Sequence, residues 1–236
     1  MTGIYRLANQ TIQIQSCCSD VHVLCREYPG SHAPDFSVVT TQTDIDFERE
    51  KSAREDEIEG IPIRQFSDGY LETLAVYRKI AEKMPEYDTI LFHGSCVAVD
   101  GAGYLFTAKS GTGKSTHTRL WRELLEDRAV MVNDDKPLIR IGIGGAVAYG
   151  TPWNGKHRLS ANTAVPLKAV CQLERSADNH IEEVSYPEIF PVLFRQTYRP
   201  TDAAGMKETL ALLDRLGTVG GGEGWPRWRR RAPARG

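Results

Sequence analysis

A short glycine-containing segment holds the residue types whose spacing points most directly to chemistry. It reads Ala108-Lys109-Ser110-Gly111-Thr112-Gly113-Lys114-Ser115-Thr116. Glycines let backbone N–H groups turn inward around phosphate oxygens, and a helix that follows adds the positive end of its dipole. In this pattern Lys114 would reach the β- and γ-phosphates, and the Ser115 hydroxyl would bind Mg²⁺. The segment therefore predicts a phosphate-binding loop over residues 110–116.

The sequence on both sides of the loop has the pattern that such a loop needs. Residues 103–107 are apolar, aromatic and β-branched, which predicts a buried strand. The residues after the loop space their large apolar side chains on one helical face, namely Leu120, Trp121, Leu124 and Leu125. One position departs from the usual pattern, because Ala108 stands where glycine is expected. Alanine fits there if its φ is negative.

A second group of candidate residues follows the next apolar run. Residues 129–133 predict a strand, and Asp134 and Asp135 follow it directly. Beside the loop in a sheet, one carboxylate would hold Mg²⁺ and the other would accept a proton from an attacking hydroxyl. A plain surface turn is the alternative, but the loop shortly upstream favours the functional interpretation.

A third candidate segment is rich in glycine, proline, asparagine and tryptophan, which predicts a loop over residues 150–157. Lys156 and His157 lie at its end. They fit contact with a phosphate or an acidic substrate, and equally a solvated turn. Composition leaves both interpretations open.

Length and charge exclude several function classes. The 236 residues suit one large domain or a main domain with a smaller one. There is no apolar run that could span a membrane and no signal pattern at the N-terminus, so we expect a cytoplasmic protein. The tail from Gly217 carries a net charge of +4 and the rest −6. An acidic body argues against nucleic-acid binding.

The first 85 residues predict a β-rich part with one packing helix. The strand candidates are residues 11–15, 21–25 and 36–41. The charged stretch 44–59 predicts a solvated helix or a mobile loop. Ser67 is placed to cap a helix over residues 68–84, whose apolar stripe indicates packing.

Three cysteines and a histidine cluster loosely near the N-terminus, namely Cys17, Cys18, His22 and Cys25. A zinc site is one interpretation, but no second C-x-x-C half completes it. Half-buried strand residues are the favoured interpretation.

The remainder predicts a kinase-like domain over residues 86–216 and an atypical tail. The predicted elements are a hairpin over 89–107, strands over 138–143, 146–149 and 167–173, and helices over 186–198 and 206–216. Residues 217–236 show no periodicity and cannot bury a core. Either this is a disordered basic tail, or a shifted reading frame has replaced a genuine terminal strand and helix. The abrupt change after a well-formed helix favours the second.

Taken together, His93-Gly94, the hairpin, the segment 109–115 and Asp134-Asp135 resemble the catalytic domain of HPr kinase/phosphorylase. They are more similar still to short HPr-kinase-like serine kinases. The resemblance covers residues 89–175 and implies an α/β fold shared with phosphoenolpyruvate carboxykinase, with a mixed twisted sheet.

The resemblance also implies roles. Lys114 and the loop amides would hold ATP, and Ser115 and Asp134 would bind Mg²⁺. Asp135 would be the general base, His93 would lie beside the transferring phosphate, and Lys156 would be on the substrate side. A longer glycine-rich loop used for dephosphorylation is not found, so phosphorylase activity is not supported.

The resulting hypothesis is an ATP- and Mg²⁺-dependent kinase that acts on a serine hydroxyl of a protein or peptide. Because relatives are often oligomers, the resemblance also allows a homo-oligomer. Two alternatives stay open. One is a carboxykinase-type enzyme, for which the second metal site is not seen. The other is a nucleotide-binding regulator without catalysis, against which intact Asp135 and His93 speak.

Overall fold

A computed structural model describes residues 1–218 and 227–232 of the chain. The chain divides into two units, Met1–Lys83 and Met84–Gly236, each with its own sheet. The predicted α/β class with a mixed sheet is confirmed, because strands pair both parallel and antiparallel in each unit.

The first unit contains three strands and three helices. They are β1 (Thr2–Leu7), β2 (Gln10–Gln15), α1 (Asp20–Leu24), β3 (Phe36–Val39), α2 (Gln42–Glu59) and α3 (Asp68–Lys83). Strand β2 pairs antiparallel with β1 and parallel with β3. The charged stretch is the helix α2, and the Ser67 hydroxyl accepts a hydrogen bond from the Tyr70 N–H at the start of α3.

Two expectations for this unit were wrong. Residues 21–25 form the helix α1 and its end rather than a strand, and helices hold more of the unit than strands do. Val21 and Cys25 are fully buried, whereas Val23 is 61% exposed. Burial at a spacing of four fits one helix face, while a strand would have buried all three. A short apolar run in a sequence fits both the helical and the strand period, so it does not show which element forms.

The second unit is built on one large sheet. Its strands are β4 (Thr89–Leu91), β5 (Ser95–Val99), β6 (Ala102–Thr107), β7 (Ala129–Asn133), β8 (Leu138–Gly142), β9 (Gly145–Tyr149), β10 (Ala164–Arg175), β11 (His180–Glu183) and β12 (Arg227–Ala232). Within the described residues the strand order is β4-β8-β9-β10-β6-β5-β7, and β12 pairs with β10 and β11. The helices are α4 (Lys114–Leu125), α5 (Tyr186–Gln196) and α6 (Ala203–Thr218).

Local sequence explains the central hairpin, and apolar burial explains the sheet. Asp100 and Gly101 connect β5 to β6 with φ values of 50° and 80°, as a tight turn between antiparallel strands requires. The core contains Phe92, Ile139 and Leu213, all fully buried. Strand and helix therefore share one apolar core in this unit.

The order of three strands positions the candidate residues. Strands β6 and β7 both run antiparallel to β5, which lies between them. The carboxyl ends of β6 and β7 and the start of β5 therefore meet at one edge of the sheet. Since neighbouring strands lie about 4.8 Å apart, the ends of β6 and β7 are separated by about 10 Å.

The C-terminal stretch differs from its expectation in part. Arg227–Ala232 forms β12, which runs parallel to β10, whereas the sequence predicts no regular structure there. Its pairing partners lie far along the chain, so local periodicity carries no signal for it. The other residues of the predicted tail after Thr218 lie outside the described residues. No helix in the described part of the chain is long and apolar enough to cross a membrane.

A buried carboxylate holds the first unit together. Glu72 on α3 is fully buried. It accepts hydrogen bonds from the backbone N–H groups of Cys17 and Cys18, both at 2.7 Å, and from the Thr40 hydroxyl at 2.6 Å. Burial alone would raise the pKa of Glu72, but these hydrogen bonds outweigh it and the pKa lies below its ordinary value. The helix α3 is thereby tied to the segments that follow β2 and β3.

Glu72→Gln should lower the free energy of unfolding by about 2–3 kcal/mol at neutral pH, because the amide leaves buried donors poorly paired. A depressed carboxyl pKa stabilises the folded state above the unfolded value and loses that contribution as pH falls through the folded one. The difference from wild type should therefore shrink below the ordinary pKa of about 4.5. Urea unfolding across this pH range measures it.

Glu55→Gln is the control, because Glu55 is exposed on the neighbouring helix α2. If Glu55→Gln lowers the free energy of unfolding as much as Glu72→Gln does, the effect is not specific to the buried carboxylate.

Candidate functional site

The predicted phosphate-binding loop connects the end of β6 to the start of α4. Gly111 and Gly113 have φ values of 75° and 114°, which side chains other than glycine rarely adopt. The Thr112 N–H donates to the Lys109 carbonyl, and the Arg175 guanidinium donates to the Gly111 carbonyl at 2.7 Å. The loop is therefore fixed both by its own turn and by the end of β10.

Ala108 shows why the departure from glycine is tolerated. Its φ is not positive, and its methyl group is buried against Phe106, Cys171 and Leu173. The position thus needs no glycine, and the alanine contributes to the packing under the loop.

Lys114 is the first residue of α4 and folds back over the loop. Its Nζ donates a hydrogen bond to the Ala108 carbonyl at 3.2 Å. Burial lowers the pKa of Lys114, while the charge of Asp135 acts in the opposite direction. The ammonium group is therefore held at the mouth of the loop, where phosphate oxygens would pass.

The buried side chain of Asn133 shapes the turn that carries the two aspartates. Its Nδ2 donates to the carbonyls of Thr151 and Trp153, at 3.1 and 3.2 Å. Its Oδ1 accepts from the backbone N–H groups of Asp135 and Lys136, at 2.9 and 2.6 Å. One side chain thus joins the end of β7 to the loop after β9.

Asp134 has the features of a cation ligand. One carboxylate oxygen accepts the Gly155 N–H at 2.6 Å. The other is buried and has no hydrogen-bond partner among the residues that the structure describes. Burial raises the pKa of Asp134 above its ordinary value. A desolvated carboxylate oxygen without a donor fits a bound cation.

The cation would need ligands from outside the protein as well. Residues 1–218 and 227–232 contain no group of three or more His, Cys, Asp or Glu side chains that could hold a metal. Mg²⁺ commonly keeps several waters and is bound by one or two protein groups plus substrate phosphates. Asp134 and the Ser115 hydroxyl, which line the same cleft, fit that kind of site.

Asp135 forms a pair with His93. The His93 Nε2 lies 3.3 Å from the Asp135 Oδ1. Burial alone would raise the pKa of Asp135, but the hydrogen bond with His93 and the nearby positive charges of Lys136 and Lys114 outweigh it. The pKa of Asp135 therefore lies below its ordinary value. The carboxylate is ionised at neutral pH and can accept a proton.

One cleft of about 700 Å³ collects almost all the residues predicted from the sequence. Its lining includes His93, Ser110, Gly111, Gly113, Lys114, Ser115, Thr116, Asp134, Asp135 and Lys156. Thr112 is the one predicted nucleotide-binding residue that does not line it. The structure thus brings the loop, the two aspartates and the candidate substrate-side lysine to one place.

Sequence reasoning missed two arginines and the organising asparagine. Arg119 and Arg122 also line the cleft. Their spacing of four and seven residues from Ser115 places all three on one helical face, so this signal was present in the sequence. Asn133 had no local signal, because its partners at Thr151 and Trp153 are distant along the chain.

Comparisons with known proteins give little further support. No protein-family model and no curated protein matches the chain. Among solved structures, it is similar to the HPr(Ser) kinase/phosphatase from Coxiella burnetii, with 13% identity over 55% of this chain and 99% of that one, and a TM-score of 0.29. Likeness at this level carries no weight, and the site is assigned from the chain's own residues.

Asn133→Ala should lower the free energy of unfolding by about 3 kcal/mol, because it removes a buried side chain that makes two hydrogen bonds through each end. It should also weaken any binding that depends on Asp134 and Asp135. Thermal unfolding with and without Mg²⁺·ATP measures both effects. Asn179→Ala, at an exposed position, is the control. Equal stability of the two variants would contradict the organising role of Asn133.

Proposed function

We propose that this chain is an ATP- and Mg²⁺-dependent kinase that transfers the γ-phosphoryl group to a serine hydroxyl of a protein or peptide. The observation that carries this proposal is the arrangement of Asp135. It pairs with His93 and lines the same cleft as Lys114 and Ser115. A carboxylate base beside a phosphate-binding loop is the arrangement that phosphoryl transfer to a hydroxyl requires.

The loop supplies the donor side of the reaction. Backbone N–H groups of the loop other than that of Thr112, which donates to the Lys109 carbonyl, would surround the β- and γ-phosphates, and the N-terminus of α4 would add its dipole. Lys114 would contact the same phosphates and neutralise charge as the γ-phosphoryl group departs. Positioning and charge neutralisation provide most of the rate in reactions of this kind.

Asp134 and Ser115 would hold Mg²⁺. The buried Asp134 oxygen without a donor supports this assignment. The ion, when bound, would supply positive charge that offsets the charge developing on the phosphates. Gly155 keeps the Asp134 carboxylate oriented by donating its N–H to the other oxygen.

Asp135 would act on the acceptor. It takes the proton from the serine hydroxyl, the hydroxyl oxygen forms a bond to the γ-phosphorus, and the bond from that phosphorus to the bridging oxygen breaks to release ADP. His93 would orient Asp135 and lie beside the transferring group. Lys156 would contact the acceptor, and such a kinase would work in the cytoplasm, where ATP is available.

Asp135→Asn should lower phosphoryl transfer about 10²- to 10⁴-fold, because the amide cannot accept the proton. ATP affinity should stay within about twofold of wild type, since Asp135 does not belong to the loop. The assay follows γ-labelled ATP, both transfer to serine peptides and slow release of phosphate to water. Asp127→Asn, at an exposed position, is the control. Transfer that survives in Asp135→Asn would remove Asp135 as the base.

Mg²⁺·ATP should raise the melting temperature of the wild-type chain more than ATP with a chelator does. At about 100 times its Kd, a ligand adds roughly 2.7 kcal/mol to stability. Asp134→Asn should abolish the part that depends on Mg²⁺ and keep the part that depends on ATP alone. Scanning fluorimetry measures these shifts. If Mg²⁺ raises the melting temperature equally in the wild type and in Asp134→Asn, Asp134 is not a Mg²⁺ ligand.

A further inference from the structure

Several positive side chains line the cleft. Lys114, Arg119, Arg122 and Lys156 are among its lining residues, against Asp134 and Asp135 as the acidic groups. Bound Mg²⁺·ATP would bring a net charge of about −2, which balances the surplus of the cleft as a whole. The cations that matter for an acceptor are therefore those away from the phosphate-binding end.

Two of these cations lie away from the phosphate-binding end. Along a helix that rises about 1.5 Å per residue, Arg119 and Arg122 are about 6 and 10 Å beyond Ser115. They face the same cleft as Ser115 because all three share one side of α4. Phosphates at the helix N-terminus would meet Lys114 and the loop amides first. Along the helix axis, the backbone of both arginines therefore lies farther from the loop than that of Lys114.

Arg122 is the more available of the two. Arg119 makes an ion pair with Glu123 at 2.5 Å, and both side chains are 54% exposed. Within residues 1–218 and 227–232, the Arg122 side chain makes no hydrogen bond or ion pair, and the residue is only partly exposed. A partly buried guanidinium without a partner is a better anion site than an exposed, paired one.

Lys156 and His157 line the cleft from a different chain segment than α4. They follow Gly155, whose N–H is bonded to Asp134, so the backbone at this point is held near the aspartates. Both side chains are exposed, and neither makes an ion pair within the described residues. Asp135, Arg122 and Lys156 line one cleft, so an acceptor bound there has both cations within the same cleft as its hydroxyl.

We propose that the acceptor carries an anionic group, a carboxylate or a phosphate, close to the hydroxyl, and that Arg122 and Lys156 bind it. This inference rests on the proposed kinase function and names the chemical class of its acceptor. Arg122 supplies the specific contact, since a guanidinium can hold either anion with two parallel hydrogen bonds. Lys156 adds a flexible point charge at the open side. The cleft would thereby bind such an acceptor more tightly than a serine whose neighbouring residues are neutral or basic.

The test measures binding to the full chain saturated with Mg²⁺·AMP-PNP, by fluorescence anisotropy. The probes are four labelled peptides in which serine is followed by two glutamates, two phosphothreonines, two alanines or two lysines. The glutamate or the phosphothreonine peptide should bind at least about tenfold more tightly than the other two. Whichever of the two binds better identifies the anion as carboxylate or phosphate.

Variants connect the preference to the residues. Arg122→Gln and Lys156→Gln should each reduce the preference about five- to tenfold, and Arg122→Lys should keep part of it. Arg195→Gln, at an exposed position on α5 outside the cleft, should keep all of it. The Kd of AMP-PNP should change by less than about twofold in every variant.

Three results would overturn the inference. The four peptides could bind equally, the preference could survive in Arg122→Gln, or Arg122→Gln could weaken AMP-PNP as strongly as it weakens the peptides. The third result would show that Arg122 binds the nucleotide rather than the acceptor. If the wild-type chain does not bind AMP-PNP at all, the proposed function itself fails, which is a separate outcome seen before any peptide is added.

Discussion

The hydrogen bonds of the Asn133 amide are the interaction on which the candidate site depends. Asn133 is the last residue of β7 and is fully buried, so its side chain must be satisfied by the protein. Its Nδ2 donates to the carbonyls of Thr151 and Trp153, and its Oδ1 accepts from the N–H groups of Asp135 and Lys136. These bonds constrain the turn after β7, in which the two carboxylates have different surroundings.

The sheet supplies the second constraint, because it fixes how far the carboxylates are from the phosphate-binding loop. With β5 between β6 and β7, three chain segments meet at one edge: the loop, the aspartate turn and the residues around His93. The Gly94 N–H donates to the Asp135 carbonyl, which joins two of these segments directly. The loop, Asp135 and His93 thus come from separate parts of the sequence but lie at one edge of one sheet.

Sequence patterns over a few neighbouring residues predicted the elements that those residues determine. The strand, turn and helix around residues 110–116 and the hairpin at Asp100-Gly101 were predictable, because spacing and turn chemistry specify them. The helix α1 at Val21 was not predictable, since a run of five residues fits both the helical and the strand period of apolar side chains. Asn133 and β12 were missed because their partners are distant along the chain. Arg122 was predictable from its spacing to Ser115, but charge on a helix is ordinarily taken as a solvated face.

The two adjacent aspartates show how surroundings rather than residue type assign roles. One oxygen of Asp134 accepts the Gly155 N–H, but burial outweighs the effect of its backbone hydrogen bonds, so its pKa rises. Asp135 is also buried, but His93 and neighbouring lysines bring its pKa down. Environments that shift the pKa values of two carboxyl groups in opposite directions suit the two groups to different functions. Two adjacent residues of one turn thus line one cleft with opposite pKa shifts, and the difference comes from what surrounds each carboxyl group.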